Sequence, residues 1–234
     1  EHSIYISALE KIGIQECKEK LAHQIPTEDM TLQIVGDLLC PGDLAVLVIP
    51  IDSAAPKGRL ILPQQQVIRD ILEAGAAAVT VRNTELARTL QKLEGKVRMV
   101  ITDSQAFEEV AAIVPKEIPL TSFSILMARF KGYLETAVKG IQAVDSLKDG
   151  DRILISEGCT HHRQCEDIGT VKLPNWIRQF TKAEPEFTFT SGTEFPDDLT
   201  QYKLIIHCGG CMLNAKEMKY RIKCACDQNV PVTN

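Results

Sequence analysis

The alternation of short apolar runs with amphipathic segments constrains the fold of this chain more than any other feature. The run 44–49 (LAVLVI) predicts a strand that is buried on both faces. Residues 64–74 carry apolar side chains at helical spacing, and Gly75 marks the end of that helix. A buried strand followed by an amphipathic helix is the unit from which parallel sheets are built. The sequence therefore predicts an α/β fold.

The same unit recurs along the chain. Further strands are predicted at 77–81, 97–101 and 118–121, with helices at 84–93 and 105–114. A long helix at 133–147 is followed by a second series, with strands at 152–156, 186–190 and 202–207 and helices at 175–180 and 214–227. Since strand, helix, strand connections in one sheet are parallel and right-handed, each series predicts a parallel sheet flanked by helices.

This pattern divides the chain into three segments. We place a boundary near Lys148, which gives one parallel-sheet lobe over 26–148 and a smaller one over 149–234. Residues 1–25 precede both lobes and predict a strand, a turn and a helix. The first lobe has strands that are apolar on both faces, and an uncovered edge of such a sheet is a template for pairing. We therefore expect a two-fold homodimer through roughly residues 31–148.

Composition excludes several classes of function. The chain has 234 residues and a net charge of −5, without the basic stripe that nucleic-acid binding needs. No apolar segment approaches the roughly 18 to 20 residues of a membrane-spanning helix, and no signal segment opens the sequence. These features predict a cytoplasmic protein. Because that compartment keeps thiols reduced, the clustered ones among the eight cysteines point to metal or redox chemistry rather than to structural disulfides.

Two groups of cysteine and histidine each follow a predicted buried strand. The motif HCGGC, from His207 to Cys211, ends the strand at 202–207, and CTHH, from Cys159, comes soon after the strand at 152–156. Open α/β sheets place their ligands beyond the carboxyl ends of the strands, so both groups stand where a site is expected. Together they form C-x-H, 45 intervening residues, and H-C-x-x-C.

Three hypotheses use these residues. Thiolates from two strand-end loops suit an iron-sulfur cluster, which cysteine holds with occasional replacement by histidine. A tetrahedral zinc site of three cysteines and one histidine would use the same side chains. A thiol-disulfide oxidoreductase would use Cys208 and Cys211 alone, which leaves Cys159 and His161 without a role.

Five separated segments then indicate a known family. They are VIPIDSAAPKGRLILPQQQVIRDIL (48–72), VITDSQAF (100–107), PLTSFSILMARFKG (119–132), CTHHRQCEDIGTVKLP (159–174) and HCGGCM (207–212). Over nearly its whole length the chain resembles the hydrogenase maturation GTPase family HydF. In that family a GTPase domain is followed by a dimerisation domain and by a domain that holds a 4Fe-4S cluster.

The resemblance implies a function, partners and site residues. It implies a scaffold and carrier that holds the diiron precursor of the FeFe hydrogenase active site and delivers it to the apo-hydrogenase. The implied partners are the apo-hydrogenase and the radical-SAM maturases. On matching positions the cluster thiolates are Cys159, Cys208 and Cys211, with an exchangeable fourth iron site. His161 and His207 are the candidate fourth ligands.

The sequence departs from the family pattern at both ends. It contains neither the G-x-x-x-x-G-K-S/T loop that cradles phosphates nor the N-K-x-D motif for guanine. Residues 4–25 resemble the closing part of a GTPase domain, so we expect a remnant of that domain, no GTP hydrolysis by this chain, and GTP binding only in the full-length protein. At its other end the chain stops at 230–234 (VPVTN), where the family usually continues through a short helix.

Overall fold

The computed structural model describes residues 4–24, 33–51, 60–158 and 168–234, in two compact units. The first unit spans Glu1–Leu32 and the second spans Gln33–Asn234. In the first, Ser7 and Ile12 form an antiparallel bridge across a turn, and helix α1 follows at Ile14–Gln24. The predicted strand is thus reduced to one bridge, whereas the turn and the helix are confirmed.

The second unit begins with a lobe built on a four-stranded parallel sheet in the order β2-β1-β3-β4. Its strands are β1 Leu44–Val48, β2 Ala77–Val81, β3 Val97–Thr102 and β4 Leu120–Ser122. Its helices are α2 Leu62–Glu73, α3 Leu86–Lys92, α4 Phe107–Ile113 and α5 Phe123–Phe130. Apolar clusters cover both faces of β1, as its uniformly apolar sequence predicts.

The next lobe repeats this architecture with the order β6-β5-β7-β8, again all parallel. Its strands are β5 Arg152–Glu157, β6 Glu186–Ser191, β7 Leu204–Cys208 and β8 Val232–Thr233. Helices α6 Leu134–Ile141, α7 Leu173–Thr181 and α8 Ala215–Asp227 flank it. The predicted α/β class with two parallel-sheet lobes is confirmed.

The sequence analysis did not predict helix α5 or strand β8. Helix α5 follows β4 without a loop, because Ser122 ends the strand and its hydroxyl accepts the N–H of Ile125 as the helix N-cap. The terminal residues VPVTN contain strand β8, which pairs with β7. The long helix expected at 133–147 is α6 followed by a 3-10 segment at Gln142–Ser146.

The junction between α5 and α6 joins the two lobes through a Schellman motif. Gly132 has a φ of +79°, its N–H bonds the carbonyl of Arg129, and the N–H of Tyr133 bonds the carbonyl of Ala128. The left-handed conformation of Gly132 turns the chain sharply at the end of α5. As a result, Lys131 and Tyr133 lie on either side of this glycine at the boundary between the lobes.

Helix α6 packs directly on the edge strand β8. A Cβ on Gly140 would lie 2.0 Å from the carbonyl oxygen of Val232, so only glycine permits this approach. The predicted domain boundary near Lys148 stays a prediction, and α6, which precedes it, packs on the second sheet. In the described part of the chain, no helix has the length and apolar character needed to cross a membrane.

The close approach at Gly140 makes a testable prediction. Gly140→Ala should lower the free energy of unfolding by about 2 kcal/mol, because overpacking against backbone outweighs the gain of about 1 kcal/mol in helix propensity. Urea unfolding of the two proteins measures this difference. Val138→Ala, at an exposed position of the same helix, is the control. A Gly140→Ala protein as stable as the wild type would show that α6 and β8 are not in close contact.

Candidate metal centre

The two strands that precede the cysteine groups are neighbours in the second sheet. Strands β5 and β7 pair in parallel, and Glu157 lies opposite Cys208. The N–H of Gly158 donates a hydrogen bond of 2.7 Å to the carbonyl of Cys208. The chain thus reaches Gly158, one residue before Cys159, beside the first cysteine of the HCGGC motif. Cys159 and His161 themselves lie outside the described residues.

The turn from Cys208 to Cys211 is built for close approach of backbone. Gly209 has a φ of +67°, and its carbonyl accepts the N–H of Met212 at 2.9 Å. A Cβ on Gly158 would lie 2.5 Å from the carbonyl oxygen of Gly209, and one on Gly210 would lie 3.2 Å from the hydroxyl of Tyr133. Glycine at these places brings the ends of both strands together.

The two cysteines of the turn face different parts of the protein. Both are half-buried thiols. Cys208 packs against the apolar cluster between β5 and α7, whereas Cys211 packs against the core of the first lobe. Two thiols three residues apart on a glycine turn suit iron-sulfur clusters and zinc alike. Within the described ranges, no three His, Cys, Asp or Glu side chains form a metal-binding group.

His207 stands in a different environment from the thiols. Successive strand residues point to opposite faces, so its ring projects away from the face that Cys208 occupies. The ring is stacked on Phe195 with centroids 5.8 Å apart, and neither ring nitrogen has a hydrogen-bond partner among the residues that the structure describes. Burial, together with the nearby Arg221 guanidinium, lowers the pKa of His207 to about 3. In the folded chain this side chain is therefore neutral.

Arg221 of helix α8 is fully buried on the same face of the sheet. Its guanidinium donates to the carboxylate of Glu217 at 2.7 Å, to the hydroxyl of Ser156 at 2.9 Å and to the carbonyl of Gly192 at 2.7 Å. It also lies 5.1 Å from the centre of the Phe195 ring. The charge of Arg221 is therefore paired inside the lobe.

Lys131 and Tyr133 contact the turn from behind, and sequence reasoning missed both. The ammonium of Lys131 donates to the carbonyls of Gly210, Cys211 and Leu213 at 2.7, 2.7 and 2.6 Å. Burial lowers the pKa of Lys131, whereas the Cys211 thiol acts in the opposite direction. Burial, and to a lesser extent the Cys211 thiol, raise the pKa of the Tyr133 phenol. A lysine before a glycine carries no sequence signal for such a contact.

Neutral, buried His207 predicts a pH dependence of stability. The unfolded chain has the ordinary histidine pKa of about 6.5 and takes up a proton below it, whereas the folded chain does so only near pH 3. Stability from this residue is therefore present above pH 6.5 and is lost as the pH falls toward 3. From pH 7 to pH 5 the loss is about 2 kcal/mol.

Urea unfolding of the metal-free wild type and of His207→Phe at both pH values measures this contribution. Phenylalanine keeps the ring against Phe195 but cannot titrate, so the variant should lose about 2 kcal/mol less than the wild type between pH 7 and pH 5. Equal losses in the two proteins would mean that His207 is protonated in the folded state.

Two family models match the chain. The hydrogen maturase F dimerization domain matches residues 34–132, and the hydrogen maturase F tetramerization domain matches residues 135–234. Each match covers one of the two lobes that carry the sheets. No curated protein matched the chain.

Solved structures show only distant similarity. Fatty acyl CoA synthetase of Mycobacterium tuberculosis is 11% identical with a TM-score of 0.32, covering 86% of this chain and 51% of its own. A fatty acyl-adenylate ligase structure, from work on the E. coli and L. pneumophila enzymes, is 13% identical with a TM-score of 0.33, covering 85% of this chain and 48% of its own. Aspartate transcarbamoylase of Trypanosoma cruzi is 10% identical with a TM-score of 0.31, covering 75% of this chain and 65% of its own. The chain spans about half the length of the first two, and scores this low support no functional argument.

Proposed function

Since this chain belongs to the HydF family of hydrogenase maturation proteins, we propose that it is an iron-sulfur scaffold that carries a diiron precursor to apo FeFe hydrogenase. Its resident group would be a 4Fe-4S cluster held by Cys159, Cys208 and Cys211. The membership places the chain in hydrogenase maturation. Cluster binding, precursor delivery and a meeting with the radical-SAM maturases are the parts that we propose.

The parallel pairing of β5 with β7 supports the proposal most directly. This pairing sets Glu157 opposite Cys208. The N–H of Gly158, the residue directly before Cys159, donates a hydrogen bond to the carbonyl of Cys208. A Cβ on Gly158 would clash with the carbonyl of Gly209, and Gly209 has a positive φ, so glycine at both positions lets backbone amide groups lie close to the sulfurs. Thiolates from two adjacent strand ends are the donor set that an iron-sulfur cluster needs.

Three thiolates leave one iron of a 4Fe-4S cluster for a weaker ligand. An open or exchangeable position suits a carrier, because a precursor must bind and later leave. Of the two candidate histidines, His207 stacks on Phe195 on the sheet face opposite Cys208. We therefore propose His161 or solvent, rather than His207, at the fourth position.

The alternatives make different chemical demands. A structural zinc site would close all four positions with protein ligands. A thiol-disulfide oxidoreductase would cycle Cys208 and Cys211 between thiol and disulfide and would not require Cys159. Metal and sulfide content, measured for the wild type and for single cysteine variants, separates the three functions.

Loss of any one thiolate should remove most of the cluster. We expect anaerobic reconstitution of the wild type to give one 4Fe-4S cluster per chain. Cys159→Ser, Cys208→Ser and Cys211→Ser should each retain a small fraction of the iron and sulfide, because two thiolates hold the cluster too weakly. Visible spectra with iron, sulfide and zinc analyses provide the measurement. Imidazole should change the EPR spectrum of the reduced wild type, because the fourth position is exchangeable.

Cys226→Ser is the matched control, since Cys226 is an exposed thiol on helix α8. It should load iron and sulfide as the wild type does. Full loading of all three ligand variants would refute the assignment. Stoichiometric zinc without sulfide would favour the structural zinc site instead.

Matches to a dimerization and a tetramerization domain support self-association. For the first lobe we propose a homodimer through strand β2, which lies at an edge of its sheet. The N–H of Ala77 donates to Asp43, and the carbonyl of Val81 accepts from Ile49, so these residues face β1. By alternation, the N–H groups of Ala78 and Thr80 point away from β1, toward a second copy.

Thr80→Pro should therefore halve the mass of the assembly. The substitution removes an N–H that points out of the sheet while it leaves the hydrogen bonds to β1 in place. Sedimentation at low micromolar concentration measures the mass, and circular dichroism checks the fold. Thr80→Val, which keeps the N–H at this exposed position, should assemble as the wild type does. If the proline variant folds and keeps the wild-type mass, the interface lies elsewhere.

A further inference from the structure

The Schellman motif after α5 places two polar side chains, those of Lys131 and Tyr133, against the Cys208–Cys211 turn. Lys131 is 4% exposed and Tyr133 is 3% exposed, so both are buried at the junction of the two lobes. The first lobe thus supplies the helix end that supports the turn of the second. Neither side chain is among the predicted metal ligands.

Lys131 is fixed in its charged form by its partners. Its nitrogen lies within 2.7 Å of three carbonyl oxygens, those of Gly210, Cys211 and Leu213. Three acceptors require three N–H groups, which the ammonium has and the neutral amine lacks. A buried positive charge is therefore held against the backbone of the turn that carries both thiols.

Tyr133 brings a hydroxyl to the same turn without any partner for it. Its oxygen lies 3.2 Å from the position of a Cβ on Gly210, and it makes no hydrogen bond within the described part of the protein. A buried hydroxyl without a partner costs stability. The hydroxyl thus lies against the residue that directly precedes Cys211. A sulfur acceptor on the turn would satisfy the hydroxyl.

We infer that Lys131 and Tyr133 are positioning residues that raise the reduction potential of a cluster held by the Cys208–Cys211 turn. The inference rests on the proposed function. Reduction adds negative charge to the cluster and its sulfurs. A fixed ammonium and an O–H donor to sulfur stabilise that charge, and such neighbours set the potential of iron-sulfur centres. Lys131 and Tyr133, at the end of α5, thereby set the redox state of the cluster that the second lobe holds.

EPR-monitored redox titration of reconstituted proteins tests this. We expect Tyr133→Phe and Lys131→Met both to shift the midpoint potential to more negative values than the wild type. Tyr202→Phe, a buried tyrosine in the same lobe, and Lys139→Met, an exposed lysine of α6, are the matched controls and should leave the potential unchanged.

Urea unfolding of the metal-free proteins provides a readout that does not depend on the cluster. Metal-free Tyr133→Phe should be at least as stable as the wild type, since the hydroxyl makes no hydrogen bond within the described ranges. Clear destabilisation of this variant would show that the hydroxyl has a structural partner and would overturn its assignment.

The possible failures are distinct. A wild type that binds no cluster overturns both the proposed function and this inference. A wild type and variants that load fully and share one midpoint potential overturn this inference alone. If Lys131→Met does not fold, Tyr133→Phe, which removes one oxygen from the side chain, decides the matter by its potential.

Discussion

The parallel pairing of β5 with β7 is the interaction on which the candidate centre depends. These strands are separated by nearly fifty residues of sequence, yet the hydrogen-bonded register places Glu157 opposite Cys208. A slip of one residue would turn every side chain of β7 to the other face, so that Ile205 and Ile206 would exchange their apolar surroundings. The register of β5 with β7 therefore fixes the position of Cys208 beside Gly158.

The second constraint is that both lobes contact the turn from Cys208 to Cys211. Cys211 packs on the core of the first lobe, and Lys131 from that lobe bonds three carbonyls of the turn. These contacts desolvate a lysine, which is tolerated because each of its three N–H groups has an acceptor. Movement of one lobe relative to the other would break these bonds, so the conformation of the turn depends on how the two lobes pack.

The sequence predicted the sheets well and the supporting contacts poorly. Runs such as LAVLVI are short and rich in β-branched residues, which favours buried strands over helices. Both cysteine groups follow such runs, so the sequence predicts the fold and the position of the turn with Cys208 and Cys211. Strand β8 has only two residues, too few for a periodic signal. The burial of Arg221 and Lys131 depends on partners distant in sequence, such as Ser156 and Gly210, which no local pattern reveals.

The buried polar groups of the second lobe fall into two kinds. Arg221 has acceptors for its guanidinium on three other residues, and such a satisfied network stabilises a lobe by itself. Tyr133 and His207 instead bury polar atoms without hydrogen bonds in the described structure. His207 stays neutral and packs as an aromatic ring, so its cost is limited. The Tyr133 hydroxyl faces the Cys208–Cys211 turn, where a bound cluster would supply a hydrogen-bond acceptor. The stability that this buried hydroxyl costs the metal-free chain would then measure how far the fold is organised around the cluster.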